Sequence, residues 1–208
     1  MNAILTIGLM FVLFSFCGLT EKLKQMQSGS NSNVSSNSAK TTGNGTSEKA
    51  TLTPSQQAIV NAGTETKWDE QGISWKLPSG WKKMEVKKET FNYSSPDNAF
   101  LLVNISSMSD DFPMDASLKA YYDQAMQQLK QGKYESAKMV EIDGIPGVEF
   151  TEAPPEDKSG VRRHQWIGYR SYLGQKQMLN VMTSTVGTNF EKHRDDFAAI
   201  LYSMKATK

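Results

Sequence analysis

Hydrophobic and polar positions fall into regular periods from about Lys67 onward. Ile73, Trp75 and Leu77 alternate with Ser74 and Lys76, the period of a half-buried strand, and Pro78-Ser79-Gly80 then turns the chain. Between Trp81 and Lys87, Met84 and Val86 share one face and Lys83, Glu85 and Lys87 the other. A short strand is predicted at Phe91–Tyr93 and a turn at Ser95-Pro96-Asp97-Asn98. Ala99 to Ile105 is apolar on both faces and reads as a central strand covered on both sides. Leu118, Tyr121, Tyr122, Ala125 and Leu129 recur at helical spacing, with Asp115 or Ser117 as cap and Gly132 as stop. Strands are predicted at Tyr134–Glu141, Val148–Thr151, Arg162–Tyr172 and Lys176–Val186, the last two joined as a hairpin at Leu173-Gly174. A final helix carries Phe190, Phe197, Ile200, Leu201 and Met204 on one stripe, with Thr188 and Glu191 spaced as a capping box. Strands, a helix, more strands and a second helix, with hairpin-length connections, predict an α+β fold: a mainly antiparallel sheet flanked by helices on opposite faces.

The N-terminus follows other rules. Ile4 to Phe16 is an uncharged apolar run, shorter than the about 20 residues of a membrane span and suited to a secretory signal. Extended from Ala3 to Thr20 it reads alternatively as a signal anchor. It ends at the chain's single cysteine, in Phe14-Ser15-Phe16-Cys17-Gly18, which resembles the lipobox of bacterial lipoproteins, with Phe16 where a small residue is usual. That resemblance implies cleavage before Cys17 and lipid, palmitate included, on its thiol. Several acyl chains on one residue anchor stably, at about 0.8 kcal/mol per buried CH₂. Gln27 to Ser47 is almost wholly Ser, Asn, Gly and Thr, a composition that cannot repay its ordering entropy. Residues 1–16 are thus expected to be a signal peptide, 17–66 a lipid-anchored flexible linker spanning about 40 Å, and 67–208 a domain that folds alone. Within the linker, Pro54 to Ala62 reads as a short helix capped by Thr53.

Composition narrows the function. Lys and Arg total 23 against 22 Asp and Glu, so no basic surplus points to nucleic acid. One cysteine excludes an internal disulfide framework and an all-cysteine metal site.

Gly72-Ile-Ser-Trp-Lys-Leu-Pro-Ser-Gly-Trp81 resembles the opening hairpin of PsbP-like domains, and Ile142-Asp-Gly-Ile-Pro-Gly-Val148 and Phe197-Ala-Ala-Ile-Leu-Tyr-Ser-Met204 are similar to the same pattern. This PsbP/Mog-like superfamily joins PsbP, Ran-binding Mog proteins and bacterial DcrB-like lipoproteins. The resemblance runs from Trp68 to Lys205 and implies an antiparallel sheet sandwiched between helices. It implies no shared catalytic residues, and fold alone does not set function.

Candidate chemistry is sparse. His164 follows Arg162-Arg163 at a strand start and His193 lies in the last helix; either type can serve as a base or metal ligand, or simply as a polar residue. Asp110, Asp111 and Asp115 precede a helix and can hold Ca²⁺ or serve its dipole. Arg162-Arg163-His164 can meet an anion. Trp68, Trp75, Trp81 and Trp166 can shape a groove or fill a core, and Tyr121-Tyr122 can leave one ring outward. HExxH, GxSxG and Walker patterns are missing from the sequence. No cofactor, catalytic residue or metal ligand is therefore assigned. The expected protein is a non-catalytic envelope lipoprotein, facing the periplasm or exterior, held to a membrane by lipid on Cys17 and binding another protein. The alternative is an enzyme or small-ligand carrier with an unrecognised pocket.

Overall fold

The computed structural model describes residues 47–207, which lie within one compact unit. The expectations for the signal run, for Cys17 and for the Ser/Asn-rich stretch up to residue 46 fall outside the described residues.

The main sheet has eight strands. In spatial order they are β1 (Glu48–Lys49), β7 (Tyr134–Ile142), β8 (Ile145–Glu152), β9 (Val161–Tyr172), β10 (Gln175–Val186), β6 (Phe100–Ser107), β5 (Thr90–Ser94) and β4 (Lys82–Lys87). Every pairing is antiparallel except β1 with β7. A smaller antiparallel sheet holds β3 (Ile73–Leu77) between β2 (Thr64–Trp68) and β11 (Lys205–Ala206). Three helices complete the α+β fold: α1 (Pro54–Ala62), α2 (Met114–Lys130) and α3 (Phe190–Tyr202).

Strand parity decides which core each residue enters. On one face of the main sheet, Leu101, Val103 and Ile105 of β6 join Trp166, Leu179, Val181, Val140 and Ile142 beneath Ile200 and Leu201 of α3 and Trp68, Ile73, Trp75 and Leu77 of the small sheet. On the other, Leu118 and Ala125 of α2 pack on Val148, Phe150, Ile167 and Tyr169. The helices therefore do cover opposite faces, as expected, although the ground for that expectation, a β6 strand apolar on both faces, is met on one face only.

The local signals were mostly met. Thr53 caps α1 through a complete capping box with Gln56, worth about 1 kcal/mol. The β9–β10 hairpin turns at Leu173 and Gly174, both at positive φ (48° and 79°). The Thr188–Glu191 box is not formed: Asn189 is the N-cap of α3 with no side-chain bond, and Glu191 turns to arginines instead.

Two expectations need correction. Ordered structure begins before Lys67. β2 starts at Thr64 and pairs residue for residue with β3, α1 packs on α3, and Ser55 and Gln56 donate to the Asp195 carboxylate at 2.9 and 3.1 Å. The helix at Pro54–Ala62 was legible, but polar composition hid that it and β2 belong to the domain, because their contribution is backbone pairing and hydrogen bonding, with no buried residue in α1. Secondly, β6 is covered on one face only. Leu101, Val103 and Ile105 are buried, whereas Phe100 and Leu102 are half-buried and Asn104 is exposed. The helix that would have covered them, α2, lies over β7, β8 and β9.

Candidate functional site

Beneath α3, the even-numbered residues of β9 point into the sheet–helix layer, and two of them are charged. Arg162 is 2% exposed. Its Nε donates to the Glu152 carbonyl at 2.8 Å, its Nη1 to Glu191 at 2.7 Å and its Nη2 to Glu135, while the guanidinium lies 4.1 Å over the Phe190 ring. Arg163 points to the opposite face and pairs with Glu152 at 3.0 Å. The alternation of a strand thus splits the Arg-Arg-His run, and no basic patch forms there.

His164 bonds Glu149 at 2.6 Å, and Tyr202 of α3 donates to the same carboxylate at 2.8 Å. Burial pushes the Glu149 pKa up, but the His164 hydrogen bond and the positive charges of His164 and Lys138 outweigh it, and the net direction is down. A histidine–carboxylate pair is able to move protons. This one is closed off: His164 and Glu149 are 7% and 6% exposed, under the end of α3. His193 is held between Asp97 and Asp196, each at 3.1 Å, and stacks on Phe197. Lys192 and Ser95 hold the Asp97 carboxyl well below the usual range. Both histidines therefore tie sheet or turn to helix through carboxylates.

The other candidates resolve as follows. Trp68, Trp75 and Trp166 are core residues at 1%, 1% and 0% exposure, and Trp81 packs half-buried against two clusters. Tyr121 and Tyr122 both pack toward the α2 core, so neither is a free outward ring. Asp115 sits in the first turn of α2; Asp111 is lowered by its bonds to Ser109 and backbone. Among the described residues no group of three His, Cys, Asp or Glu side chains could hold a metal.

These paired carboxylates set the acid stability. Glu191 is held at about 2 by the Arg194 and Arg162 guanidinium groups, and Glu149 and Asp97 are also lowered. The unfolded chain, with ordinary values near 4, takes up protons first as pH falls, so stability is full above about pH 5.5 and is lost through pH 4 to 2. Melting temperature should be flat from pH 7 to 5.5 and drop steeply below, and Glu191→Gln should shrink that drop. A melting temperature unchanged down to pH 3 would contradict the assignment.

The surface left uncovered by α2 is the feature that sequence reasoning missed. Its apolar centre is Phe100, Leu102 and Met182, with Met182 opposite Leu102 in register, and Val161 is 50% exposed at one end. Asn104 faces Asn180, which accepts from Gln165 at 2.7 Å, and Leu102 faces Asn92, so an amide rim surrounds the centre. A partly open apolar patch rimmed by amides suits contact with another protein surface. The doubly apolar AFLLVNI pattern was its signal. At the sheet edge, Lys82, Lys83, Lys87 and Lys88 flank exposed Met84, which guards the open β4 edge against uncontrolled strand pairing.

No family profile matches the chain, and no curated protein matches it. Solved structures do. LpqN of Mycobacterium tuberculosis, involved in cell envelope biogenesis, is similar with a TM-score of 0.51 at 12% identity, over 70% of this chain and 86% of that one. The cyanobacterial PsbP of Synechocystis is similar at 0.45 and 14% identity, over 70% of this chain and 94% of that one. The Saccharomyces cerevisiae Ran-binding protein Mog1p follows at 0.43 and 9%, over 69% and 95%. The chain spans about half (49%) of a further similar structure, from Bacteroides thetaiotaomicron. The fold is thus shared with LpqN, an antiparallel sheet flanked by helices of the kind the sequence resemblance implied, and at 12% identity the likeness is one of fold alone.

Proposed function

We propose that this protein is a membrane-tethered envelope lipoprotein whose folded domain binds a protein partner through the open half of its main sheet. The partly buried Phe100–Leu102–Met182 patch, which keeps some apolar surface open, carries the reading. An apolar strand face that no described helix covers gains from burial by a partner, at about 25 cal/mol per Å² of apolar surface. Two observations support it. The titratable groups most able to do acid–base work, His164, His193 and Glu149, are engaged in holding α3 to the sheet and are largely closed to solvent. The fold is similar to that of LpqN, a protein involved in cell envelope biogenesis. Attachment is assigned to lipid on Cys17, at the end of the apolar run. No helix of the described residues is long and apolar enough to cross a membrane.

Photo-crosslinking in intact cells tests the surface. A crosslinking residue at Leu102 or Met182 should give a discrete adduct, and one at Lys119 on the exposed side of α2 should not. Leu102→Arg should abolish the Met182 adduct while leaving the melting temperature within a few degrees. Equal or absent adducts at all three positions would dismiss the surface. Cys17→Ala should move the chain from the membrane to the soluble fraction; retention in the membrane would replace the lipid anchor by a signal anchor.

A further inference from the structure

Among the described residues four large apolar side chains stand exposed: Met84 and Val86 on β4, Val161 beside the open sheet face, and Leu173 at the tip of the β9–β10 hairpin. Leu173 is the most exposed of them, at 87%, and its backbone is strained. The φ of 48° there and of 79° at Gly174 belong to a two-residue hairpin turn with both central residues left-handed, where Asn-Gly is the usual pair. A bulky residue in that conformation crowds its Cβ against the following carbonyl. No packing within the chain offsets the strain, because the side chain lies in water.

The tip is flanked by acid on both sides. On one, the Met108 amide donates to the Lys176 carbonyl at 2.8 Å, Gln175 Nε2 to the Met108 carbonyl at 2.6 Å and Lys176 Nζ to the Phe112 carbonyl at 3.0 Å. These bonds lay the exposed Asp110 and Asp111 beside the start of β10. On the other side is the short helical turn Asp69–Gln71. Arg170, buried and with no carboxylate in ion-pair distance among the described residues, donates Nη2 to the Gln71 carbonyl at 2.7 Å. A Cβ on Gly72 would lie 2.9 Å from the Tyr172 hydroxyl. The exposed Asp69 and Glu70 therefore stand next to Tyr172.

β4 carries the reverse arrangement. Met84 and Val86 are 55% and 36% exposed, with Lys82, Lys83, Lys87 and Lys88 exposed around them. Lys87 pairs with Glu85 at 2.5 Å, whereas Lys82, Lys83 and Lys88 have no ion pair among the described residues. Glu85 and Glu89 are the acids of this hairpin, and the lysines outnumber them. One surface is thus an apolar knob among carboxylates, the other an apolar strip among ammonium groups. Opposite signs around apolar centres make complementary surfaces, and both belong to the same chain.

We propose that copies of this protein associate head to tail, the Leu173 tip of one against the Met84–Val86 strip of the next, with Asp69, Glu70, Asp110 and Asp111 facing the β4 lysines. The contact is heterologous: each copy gives its tip to one neighbour and receives another's tip on β4. Side chains make it, so the lysines that keep foreign strands off the β4 edge also draw in the acidic tip. It is separate from the docking surface on the open sheet face and uses none of its residues. A single knob buries little area, so association is weak in free solution and gains from copies held together on one surface.

The test uses the full chain in intact cells, with a photo-crosslinking residue at Met84. Irradiation should give an adduct of twice the chain mass whose joined peptide contains Leu173. Leu173→Asn, which suits the left-handed turn, should cut that adduct by about fivefold or more. The same substitution should raise the melting temperature of the purified chain by about 2–4 °C, because the strained residue is replaced. Lys82→Glu with Lys83→Glu should cut the adduct to a similar degree. Adding Asp110→Lys and Asp111→Lys to that chain should restore roughly half of it or more, because acid and base have then traded sides. An adduct of another mass, a joined peptide away from the hairpin tip, no adduct at all, or charge exchange without recovery would each overturn the proposal. So would a Leu173→Asn chain that melts below the parent, since Leu173 would then serve the fold.

Discussion

Gly168→Ala is expected to destabilise the domain by about 3–5 kcal/mol, and Gly147→Ala by a similar amount. Trp166 is fully buried, and its indole lies flat across the sheet, from β9 over β8, with Nε1 donating to the Val140 carbonyl on β7 at 3.1 Å. Gly168 stands two residues on along the same face, and Gly147 is its partner across the β8–β9 pair. A Cβ at either position would fall within the indole ring. The ring cannot yield cheaply. It sits in the core with Val140, Leu179 and Ile200, and moving it sacrifices the hydrogen bond as well. Overpacking alone costs about 1–3 kcal/mol. Displacing the tryptophan adds a loss comparable to truncating it, about 3–5 kcal/mol in full. At about 2–4 °C per kcal/mol for a chain of this size, thermal melts should fall by roughly 10 °C. Gly174→Ala provides the contrast: φ is 79° there, but nothing lies within 4 Å, so only backbone strain of about 1 kcal/mol is expected. Trp166→Leu should rescue part of the Gly168→Ala loss in a double-mutant cycle. A Gly168→Ala melt within 2–3 °C of the parent would mean that the indole has room to move.

Those glycines show where sequence reading ran short. An isolated glycine inside a strand marks a close approach, and Trp166-Ile167-Gly168 carries that signal in plain view. What crosses the glycine is set by register between strands, which local periodicity does not contain. The same divide runs through the fold. The β9–β10 hairpin, the α3 stripe and the Thr53 cap were legible because each depends on residues within a few positions of one another. The faces of β6 were not, because α2 shields β7 to β9 and stops short of Phe100 and Leu102, a matter of where a helix lands. Of the two histidines, His193 sits three residues after Phe190 and four before Phe197, so its burial was implicit in the stripe. Its carboxylate Asp97, nearly a hundred residues away, was not. Arg170 is the extreme case: its partners Gln71 and Gln177 lie 99 and seven residues off, and nothing in a charged strand residue foretells a guanidinium without a counter-charge.

Deleting everything before Lys67 should lower the melting temperature by about 10 °C or more, although the deleted stretch is mostly polar. The cut removes β1, α1 and the first three residues of β2. β3 would keep β11, which pairs with it at Ser74 and Ile73, but would lose Thr64, Glu65 and Thr66 from opposite Leu77, Lys76 and Trp75. That half of β3 would become an open edge beside the buried Trp75 and Leu77 side chains. On the far side, β7 would lose its parallel partner and the hydrogen bond from the Ala50 amide to the Glu141 carbonyl at 2.9 Å. α3 would lose its cover by α1 and the two side-chain bonds to Asp195. Hydrogen bonds of these kinds contribute about 1 kcal/mol each net, and more than four are lost, so several kcal/mol follow even with partial compensation by water. A cut before Ser47 leaves every one of these contacts and should melt with the parent. Thermal melts of the two truncated chains side by side decide the boundary. Equal melting temperatures would show that Lys67 to Lys208 is self-sufficient and that the strand and helix before it are passengers. A shorter chain that melts far below the longer one places the start of the cooperative unit at β1, nineteen residues before Lys67.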